Sequence, residues 1–410
     1  MPSSLTWIDH DAAARERSLR ILALFQERES RDELGLGGIR DSFAEQFFPG
    51  TSTIQTRLRY MLFVPWIYTK LEERRVPPGD FARQADRNER DLIDAMRNVG
   101  EREMGVFGGR SGRQLKRLPS SVYWAGLGAW GIRVTDLSLD QYHRQIGIIY
   151  HRRKEQANRD QESIRRGDDM ERTPAQGTVT WHPRLPLPPD DFPASADFKL
   201  TREEAGFLLD RIQRAHPASL LAHLALHCEP ADVSTPWEHP DRAGFSPAHL
   251  ELLEHARIFS SVIHGAALVY NLALAVERGW AEKRQQHDLA LQQWIADLDQ
   301  VEIRHWLLAR FWQLTLDRSH AITPTTRSFV QSWVGGIQKD GAGFAGTDEA
   351  RDLVRTREMS LKKSRSRFTN RRALDQWGGS SGLLRMVYRW PTASTLLEDL
   401  YLGLHQAGSE

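Results

Sequence analysis

The sequence predicts a mostly α-helical protein of two or more helical domains, with a charged and proline-rich linker and little β-structure. Apolar residues recur at helical spacing through most of the chain, and capping residues precede several of these segments. One stretch, GTVTWHP, alternates between polar and apolar residues as a strand does. A length of 410 residues, with 40% apolar and 27% charged residues, is typical of a globular chain with more than one domain.

Residues 1–155 are predicted to form an N-terminal helical domain. Thr51 or Ser52 is the predicted N-cap of its third helix, and Pro65 is predicted to end or kink that helix because proline lacks a backbone N–H. Residues 156–197 are the predicted linker, since they hold a run of charges and then a dense run of prolines. Apolar spacing places the helices of this half at 11–28, 39–48, 51–65, 80–99 and 138–158.

Residues 198–340 are predicted to form a central helical bundle. Thr201 and Glu204 have the spacing of a capping box, in which each side chain binds the other residue's backbone N–H. A long apolar segment that ends at Gly279 is predicted to be the central helix. A glycine-rich break then separates the bundle from a C-terminal basic region at 341–410. Further helices are expected near 281–299, 301–316 and 324–338.

Composition and motif content argue against several classes of protein. The single cysteine, Cys228, excludes an intramolecular disulfide framework and is typical of a reducing cytoplasm. The sequence shows neither a membrane-span pattern nor a signal-peptide pattern, so a cytoplasmic location without membrane contact is predicted. It also lacks a phosphate loop, a nucleophile elbow, a zinc-protease motif and a Rossmann fingerprint. We therefore expect no cofactor, no metal, no catalytic residue and no enzymatic activity.

The strongest candidate site is the run KKSRSRFTNRR in the C-terminal region. Its arginine, lysine, serine and asparagine side chains are those that most often contact phosphates. The formal net charge of the chain is only +1, so any contact with nucleic acid has to come from such a local cluster. A solvated surface and a docking face for an acidic protein are the alternatives. The predicted nucleic-acid-binding residues are Lys362, Lys363, Arg365, Arg367, Arg371 and Arg372.

A second phosphate contact is predicted in the glycine-rich stretch GGRSGRQLKRLPSS. Arg113, Lys116 and Arg117 supply its positive charge, and the glycines allow the backbone to approach a ligand closely. A mobile, exposed loop without a ligand is the alternative.

Two arginines, Arg57 and Arg59, lie in the otherwise apolar stretch FPGTSTIQTRLRYMLFVPW. A buried arginine requires a carboxylate partner, and the upstream residues Asp32, Glu33 and Asp41 are the candidates. The alternative is an anion site at the start of the helix, where free backbone N–H groups and hydroxyl groups bind phosphates. Because the helix is apolar on nearly all sides, the sequence favours structural ion pairs, with Asp32 and Asp41 as the predicted partners.

Three blocks of the sequence, DELGLGGIRDSFAEQFFPGTSTIQTRLRYMLFVPWIY, RLPSSVYWAGLGAWGI and SRFTNRRALDQWGG, carry a resemblance to a known family. The chain resembles, over nearly its whole length, an uncharacterised bacterial family found in gene clusters for defence against phage. Such clusters often hold helicase-like and phospholipase-D-like genes. The resemblance implies a bacterial cytoplasm, a multi-gene system, and contact with DNA or with a protein that works on DNA. It implies no catalytic residue.

These observations predict a non-catalytic accessory subunit of a bacterial antiphage defence system that contacts nucleic-acid backbone through the C-terminal basic segment. The expected partners are DNA or another nucleic acid, and proteins of the same operon such as a helicase. Two alternatives remain. One is a scaffold subunit that docks on a helicase or nuclease without binding DNA itself. The other is a nuclease whose site is assembled from distant residues, which spacing along one sequence does not reveal.

Overall fold

The computed structural model describes residues 32–98, 105–107, 115, 117–166, 178–315 and 322–406. Across these residues the regular structure is helical, and the single β-feature is an isolated antiparallel bridge between Arg133 and Trp181. The GTVTWHP stretch therefore contributes one bridge rather than a strand. The predicted mostly α-helical class is confirmed. The predicted helix at 11–28 lies outside the described residues.

Fifteen α-helices form the described part of the chain. Several begin at a Ser, Thr, Asp or Asn whose side chain accepts a backbone N–H of the first turn. The capping box predicted at Thr201 and Glu204 is present. In chain order the helices are α1 (Gly37–Phe47), α2 (Tyr60–Glu73), α3 (Pro78–Asn98), α4 (Pro119–Ala129), α5 (Leu139–Arg166), α6 (Arg202–Ala215), α7 (Leu220–His227), α8 (Pro247–Arg278), α9 (Ala281–Asp297), α10 (Gln300–His305), α11 (Leu308–Leu314), α12 (Pro324–Asp340), α13 (Asp348–Lys362), α14 (Arg371–Asp375) and α15 (Trp390–Leu404).

The chain divides into two compact units, each assembled from two separate segments. Unit one consists of Met1–Gln46 and Val233–Tyr388, and unit two consists of Phe47–Asp232 and Arg389–Glu410. This division falls at other positions than the predicted boundaries, which followed local changes in composition. Composition along the chain marks proline-rich and charged stretches, but it carries no information on which distant segments pack together.

Helix α8 forms the centre of unit one. Ser246 caps its first turn, and Gly279 ends it with a left-handed φ of 70°, which glycine adopts without steric cost. The indole N–H groups of Trp294 and Trp333 donate to carbonyl oxygens of α8 at 2.9 and 3.0 Å. By length and composition α8 is the one described helix that could cross a membrane, and 72% of its most apolar window is buried. Such burial is typical of the core helix of a compact unit.

Helix α2 forms the centre of unit two, and its residues from Tyr60 to Tyr68 are all buried. The predicted helix start at Thr51 or Ser52 is wrong, because the helix begins at Tyr60. The predicted effect of Pro65 is also wrong in part, since the helix continues through Pro65 to its end at Glu73. Packing on all sides of α2 offsets the hydrogen bond that the proline lacks.

The turns before α2 are stabilised by side chains instead of helical hydrogen bonds. The hydroxyl group of Tyr123 accepts from the backbone N–H groups of Thr56 and Arg57 at 2.9 and 3.1 Å. The indole of Trp130 donates to the carbonyl oxygen of Pro49 at 2.9 Å. These partners come from α4 and its C-terminal end, so a helix that looks continuous in the sequence is replaced by turns that long-range contacts stabilise.

The described residues of the predicted linker belong to unit two. Residues 156–166 continue α5, and residues 178–197 pack on the core of the unit. Trp181 and Phe192 are only 6% and 7% exposed, and the indole of Trp66 donates to the carbonyl oxygen of Pro186 at 2.6 Å. The prolines prevent helix formation here, but the aromatic side chains between them bury apolar surface and keep the segment on the core.

Candidate nucleic-acid interface

The basic segment lies between α13 and α14 in unit one. Helix α13 ends at Lys362, Lys363–Arg365 form one 3-10 turn, and Asn370 caps α14. Lys363 adopts a left-handed φ of 49°, which ends the helix at this point. Residues 362–372, termed the basic loop, therefore form a defined turn between two helices.

Two cations of the basic loop point inward, toward the buried carboxylate of Glu33. Lys362 Nζ forms an ion pair with Glu33, and Arg367 Nη1 lies 3.0 Å from Glu33 Oε1. Arg367 also donates to the hydroxyl group of Tyr270 at 2.8 Å. The side chains of Lys362, Arg367 and Glu33 are only 17%, 12% and 5% exposed. Since buried charges need partners, this cluster assigns Lys362 and Arg367 to the fold rather than to phosphate contact.

A second buried carboxylate, Glu358, holds the backbone of the basic loop. It accepts hydrogen bonds from the hydroxyl group of Ser366 and, at 3.0 Å, from the backbone N–H of Arg367. The hydroxyl oxygen of Ser366 accepts from the N–H of Phe368 at 3.1 Å. The ring of Phe368 is buried and meets Tyr270 edge to face, with 5.9 Å between ring centroids. The loop is thus anchored from inside through charge, hydrogen bonds and one aromatic contact.

The remaining four cations of the basic loop, Lys363, Arg365, Arg371 and Arg372, are exposed. Arg371 pairs with Asp375 at 3.2 Å, with both side chains more than half exposed, and such surface pairs contribute little. Among the described residues, the side chains of Lys363, Arg365 and Arg372 have no carboxylate partner within 4.0 Å. The outer face of the basic loop therefore carries an excess of positive charge that the carboxylates of the described residues do not neutralise.

The segment that brings Glu33 to the basic loop is itself held in place by α13. Arg357, which is 4% exposed, donates to the carbonyl oxygens of Leu34 and Gly35 at 2.9 and 3.3 Å. Gly35 has a φ of 69°, and a Cβ there would lie 2.5 Å from the Arg357 guanidinium. Only glycine fits this position without strain. The DELGLG pattern of the sequence therefore marks a turn whose carbonyl oxygens bind Arg357 of α13.

The two carboxylates predicted as partners of Arg57 and Arg59 have other roles. Asp32 accepts from the backbone N–H groups of Leu36 and Gly37, both at 2.6 Å, and so caps α1. Asp41 pairs with the adjacent Arg40 at 3.0 Å. The assignment of Asp32 and Asp41 as the ion-pair partners is therefore wrong, because each is already used by its own local structure.

Arg57 and Arg59 instead form ion pairs with carboxylates of unit two that are distant in sequence. Arg57 binds Asp399 through Nε at 3.0 Å and through Nη2 at 2.8 Å. Arg59 pairs with Asp197 at 2.5 Å and with Glu204 at 2.8 Å. Burial raises the pKa of the Asp399 carboxyl, and the Arg57 guanidinium opposes that rise. These contacts join the turns before α2 to α6 and α15.

A cavity of about 300 Å³ beside Arg59 bears on the anion-site alternative. Lys199 and the aromatic rings of Trp66 and Phe192 line it, and so does Asp197. Because Asp197 and the buried Glu204 already neutralise Arg59, the cavity offers an anion little excess positive charge. The arrangement favours the structural ion pair over an anion site.

Of the three residues in the second predicted phosphate contact, only Arg117 lies among the described residues. Arg113 and Lys116 lie outside the described residues. Arg117 is exposed and precedes the start of α4 by two residues. This contact stays a prediction.

One buried carboxylate of unit two, Glu89, has a raised pKa. It is 1% exposed and accepts from the backbone N–H of Ser120 at 2.7 Å. Tyr68 bridges it to His143, with 3.5 Å from the Tyr68 hydroxyl to the carboxylate and 3.1 Å to the imidazole Nε2. Burial raises the pKa of Glu89 to about 7 and lowers the pKa of His143. Because Leu118 at the N-cap of α4 offers no side-chain acceptor, Glu89 supplies that cap, which is a structural role.

Replacing Glu89 with glutamine is expected to stabilise unit two at alkaline pH. In the folded state the pKa of Glu89 is about 7, which is above the usual value of 4.5 for a glutamic acid. The protonated side chain therefore contributes stability that is fully present below pH 4.5 and is lost as pH rises through 7. At about pH 8 the variant should be more stable by about 2–3 kcal/mol, and this advantage should vanish toward about pH 5. Urea unfolding at both pH values measures it. Glu155→Gln, an exposed carboxyl on α5, is the control and should change stability by less than about 0.5 kcal/mol. An advantage that does not depend on pH would contradict the buried-acid assignment.

Sequence reasoning missed Glu33, Glu358 and Tyr270 as the residues that fix the basic loop. One local signal existed, since Glu358 and Lys362 stand four residues apart and their charges lie 4.0 Å from each other. Glu33 and Tyr270 left no such signal, because Glu33 reaches the loop from the segment before α1 and Tyr270 reaches it from α8. The structure therefore separates the six predicted cations into two that serve the fold and four that face solvent.

The fold and the site together define a mostly α-helical protein with an anchored, outward-facing basic loop. The chain matches the model of DUF6361, a family of unknown function, over residues 2–145 and 171–403, and it belongs to that family. The expectation of an uncharacterised family is thereby confirmed. Its association with phage-defence gene clusters stays a prediction. No protein with a curated description and no solved structure matched the chain.

Proposed function

We propose that this protein binds the phosphate backbone of nucleic acid through the four exposed cations of its basic loop. The observation that carries the proposal is the division of the loop's charges. Glu33 forms ion pairs with the two inward cations, and Glu358 lies 4.0 Å from one of them, Lys362. The described residues provide Lys363, Arg365 and Arg372 with no carboxylate partner. Unpaired, clustered cations on a surface attract polyanions because binding releases the counterions condensed on the polymer.

The anchoring of the basic loop supports the same function. A flexible basic tail loses conformational entropy when it binds, whereas a loop held by Glu358, Ser366 and Phe368 has its cations in place beforehand. The cations contact phosphates and not base edges in this proposal, so the binding is independent of sequence.

In the wider proposal, the protein is a non-catalytic accessory subunit of a bacterial antiphage defence system in the cytoplasm. The resemblance of the sequence supports this context, and the basic loop supports a role at a nucleic acid. The proposed protein partners come from the same operon, a helicase among them. Two buried carboxylates, Glu72 and Glu89, support the non-catalytic part of the proposal. Hydroxyl, indole, guanidinium or backbone N–H groups donate hydrogen bonds to them, which gives them structural roles.

Fluorescence anisotropy of a labelled DNA over a salt series tests the proposal. With about four phosphates neutralised, affinity should fall about 100-fold between about 50 and about 200 mM salt. An affinity that falls less than about threefold over this range would contradict backbone binding. If the intact, folded protein does not bind DNA at all, the proposal fails, and the basic loop is then a docking face for an acidic partner protein.

A further inference from the structure

The aromatic residues in and beside the basic loop bear on the kind of nucleic acid that it takes. Proteins that bind single strands stack bases on exposed aromatic rings, and this stacking supplies much of their affinity. The rings of Phe368, Trp377 and Tyr388 are only 7%, 2% and 1% exposed. The guanidinium of Arg355 lies over Phe368, 5.1 Å from the ring centroid. The basic loop therefore offers no described ring of its own for stacking.

The ring of Trp280, which contacts Trp377, is half-buried, and neighbouring side chains already cover it. Arg278 lies over this ring at 4.6 Å from the centroid, and the ring meets Trp377 edge to face at 6.1 Å. A base that stacked on Trp280 would have to displace the Arg278 guanidinium. That guanidinium also donates to the carbonyl oxygen of Trp377.

Without a ring for stacking among the described residues of the basic loop, its contact with a nucleic acid depends on charge, and charge favours the duplex. Double-stranded DNA carries one negative charge per about 1.7 Å of its axis, and its salt dependence per neutralised phosphate is steeper than that of a single strand, about 0.9 against about 0.7. A cluster of four cations thus releases more counterions from a duplex. A single strand would need the stacking energy that buried rings do not provide.

The anchoring of the basic loop favours the same ligand. Ser366 is fully buried, and Glu358, also fully buried, accepts hydrogen bonds from Ser366 and from the N–H of Arg367, so the loop backbone is held in one conformation. A fixed array of cations suits a polymer whose phosphates are themselves fixed in space. A duplex is such a polymer, since its persistence length is about 50 nm.

From these observations we infer that the ligand of the basic loop is double-stranded nucleic acid, bound through its backbone, and not a single strand. The inference rests on the proposed function, because it names the ligand class of the same site. It assigns no base contact and no groove to the protein.

Three labelled probes test the inference against the full-length protein: a DNA duplex of about 20 base pairs, one of its strands, and that strand with abasic sites in place of its bases. The duplex should bind at least about tenfold more tightly than the strand. The abasic strand should bind within about twofold of the intact strand, because no base is contacted.

The outcomes of this experiment separate the two proposals. A strand that binds as tightly as the duplex, or an abasic strand that binds at least about tenfold more weakly than the intact strand, overturns the duplex inference while backbone binding stands. If none of the probes binds, the proposed function fails and the inference fails with it. A duplex preference that persists in the variant Lys363→Gln/Arg365→Gln/Arg371→Gln/Arg372→Gln also overturns the inference, because the preference then comes from another surface.

Discussion

Replacing Glu33 with glutamine is expected to destabilise the basic loop by about 3 kcal/mol, the usual cost of removing one partner from a buried ion pair. The variant leaves Lys362 and Arg367, with side chains only 17% and 12% exposed, without their shared carboxylate. Hydrogen exchange of the backbone N–H groups in residues 358–370 measures the effect locally. Exchange there should accelerate about 100-fold, because 1.36 kcal/mol corresponds to a factor of ten.

An exposed ion pair of the same loop provides the matched control. Asp375→Asn removes the partner of Arg371, and both side chains are more than half exposed. Exchange in residues 358–370 should then change less than about fivefold, since surface pairs contribute under about 1 kcal/mol and 1.36 kcal/mol corresponds to a factor of ten. Equal effects of Glu33→Gln and Asp375→Asn would contradict the assignment of Glu33 as the anchor of the basic loop.

Replacing the four exposed cations with glutamine is expected to abolish measurable DNA binding. In the variant Lys363→Gln/Arg365→Gln/Arg371→Gln/Arg372→Gln, affinity at about 50 mM salt should fall at least about 50-fold, because all the proposed phosphate contacts are removed. The fold should be retained, since substitutions of exposed side chains usually change stability by less than about 0.5 kcal/mol each. Anisotropy measures the affinity, and circular dichroism with urea unfolding measures the fold.

A variant with the same change in net charge, placed elsewhere, controls for the overall field of the protein. Arg83, Arg87, Arg304 and Lys339 are all exposed and lie on α3, α10 and α12. Their replacement by glutamine should change DNA affinity by less than about threefold. These charges act on the phosphate contacts of the basic loop only at long range, and salt screens that interaction. If this control variant weakens binding as much as the loop variant does, the binding comes from net charge and not from the basic loop.

The parts of the fold that local sequence determines could be predicted. The helical spacing gave the mostly α-helical class, the Thr201–Glu204 capping box is present, and α8 ends at Gly279 as its sequence indicated. The basic run also stands out in the sequence, because residues 362–372 hold six cations and no acidic residue. Each of these features depends on residues within a few positions of each other.

The parts that distant contacts determine could not be predicted. Arg57 finds its carboxylate in Asp399, 342 positions away, so the search for partners immediately upstream selected the wrong residues. The start of α2 was misplaced for the same reason, because Tyr123 satisfies the backbone N–H groups that a helix would otherwise use. Likewise, only the folded chain shows that Glu33 removes Lys362 from the set of exposed cations.

Acylation of lysine amines, with and without duplex DNA and read out by mass spectrometry, tests the central claim most directly. Lys362 and Lys363 are adjacent in sequence and have opposite expected behaviour, since Lys362 pairs with buried Glu33 and Lys363 is exposed. Lys363 should react readily in the free protein and be protected at least about fivefold by DNA, as expected for a cation held against phosphates. Lys362 should react slowly in both states, and Lys339, exposed on α12, should react equally in both. An unprotected Lys363, or a freely reactive Lys362, would contradict the division of the basic loop into cations that serve the fold and cations that bind phosphate.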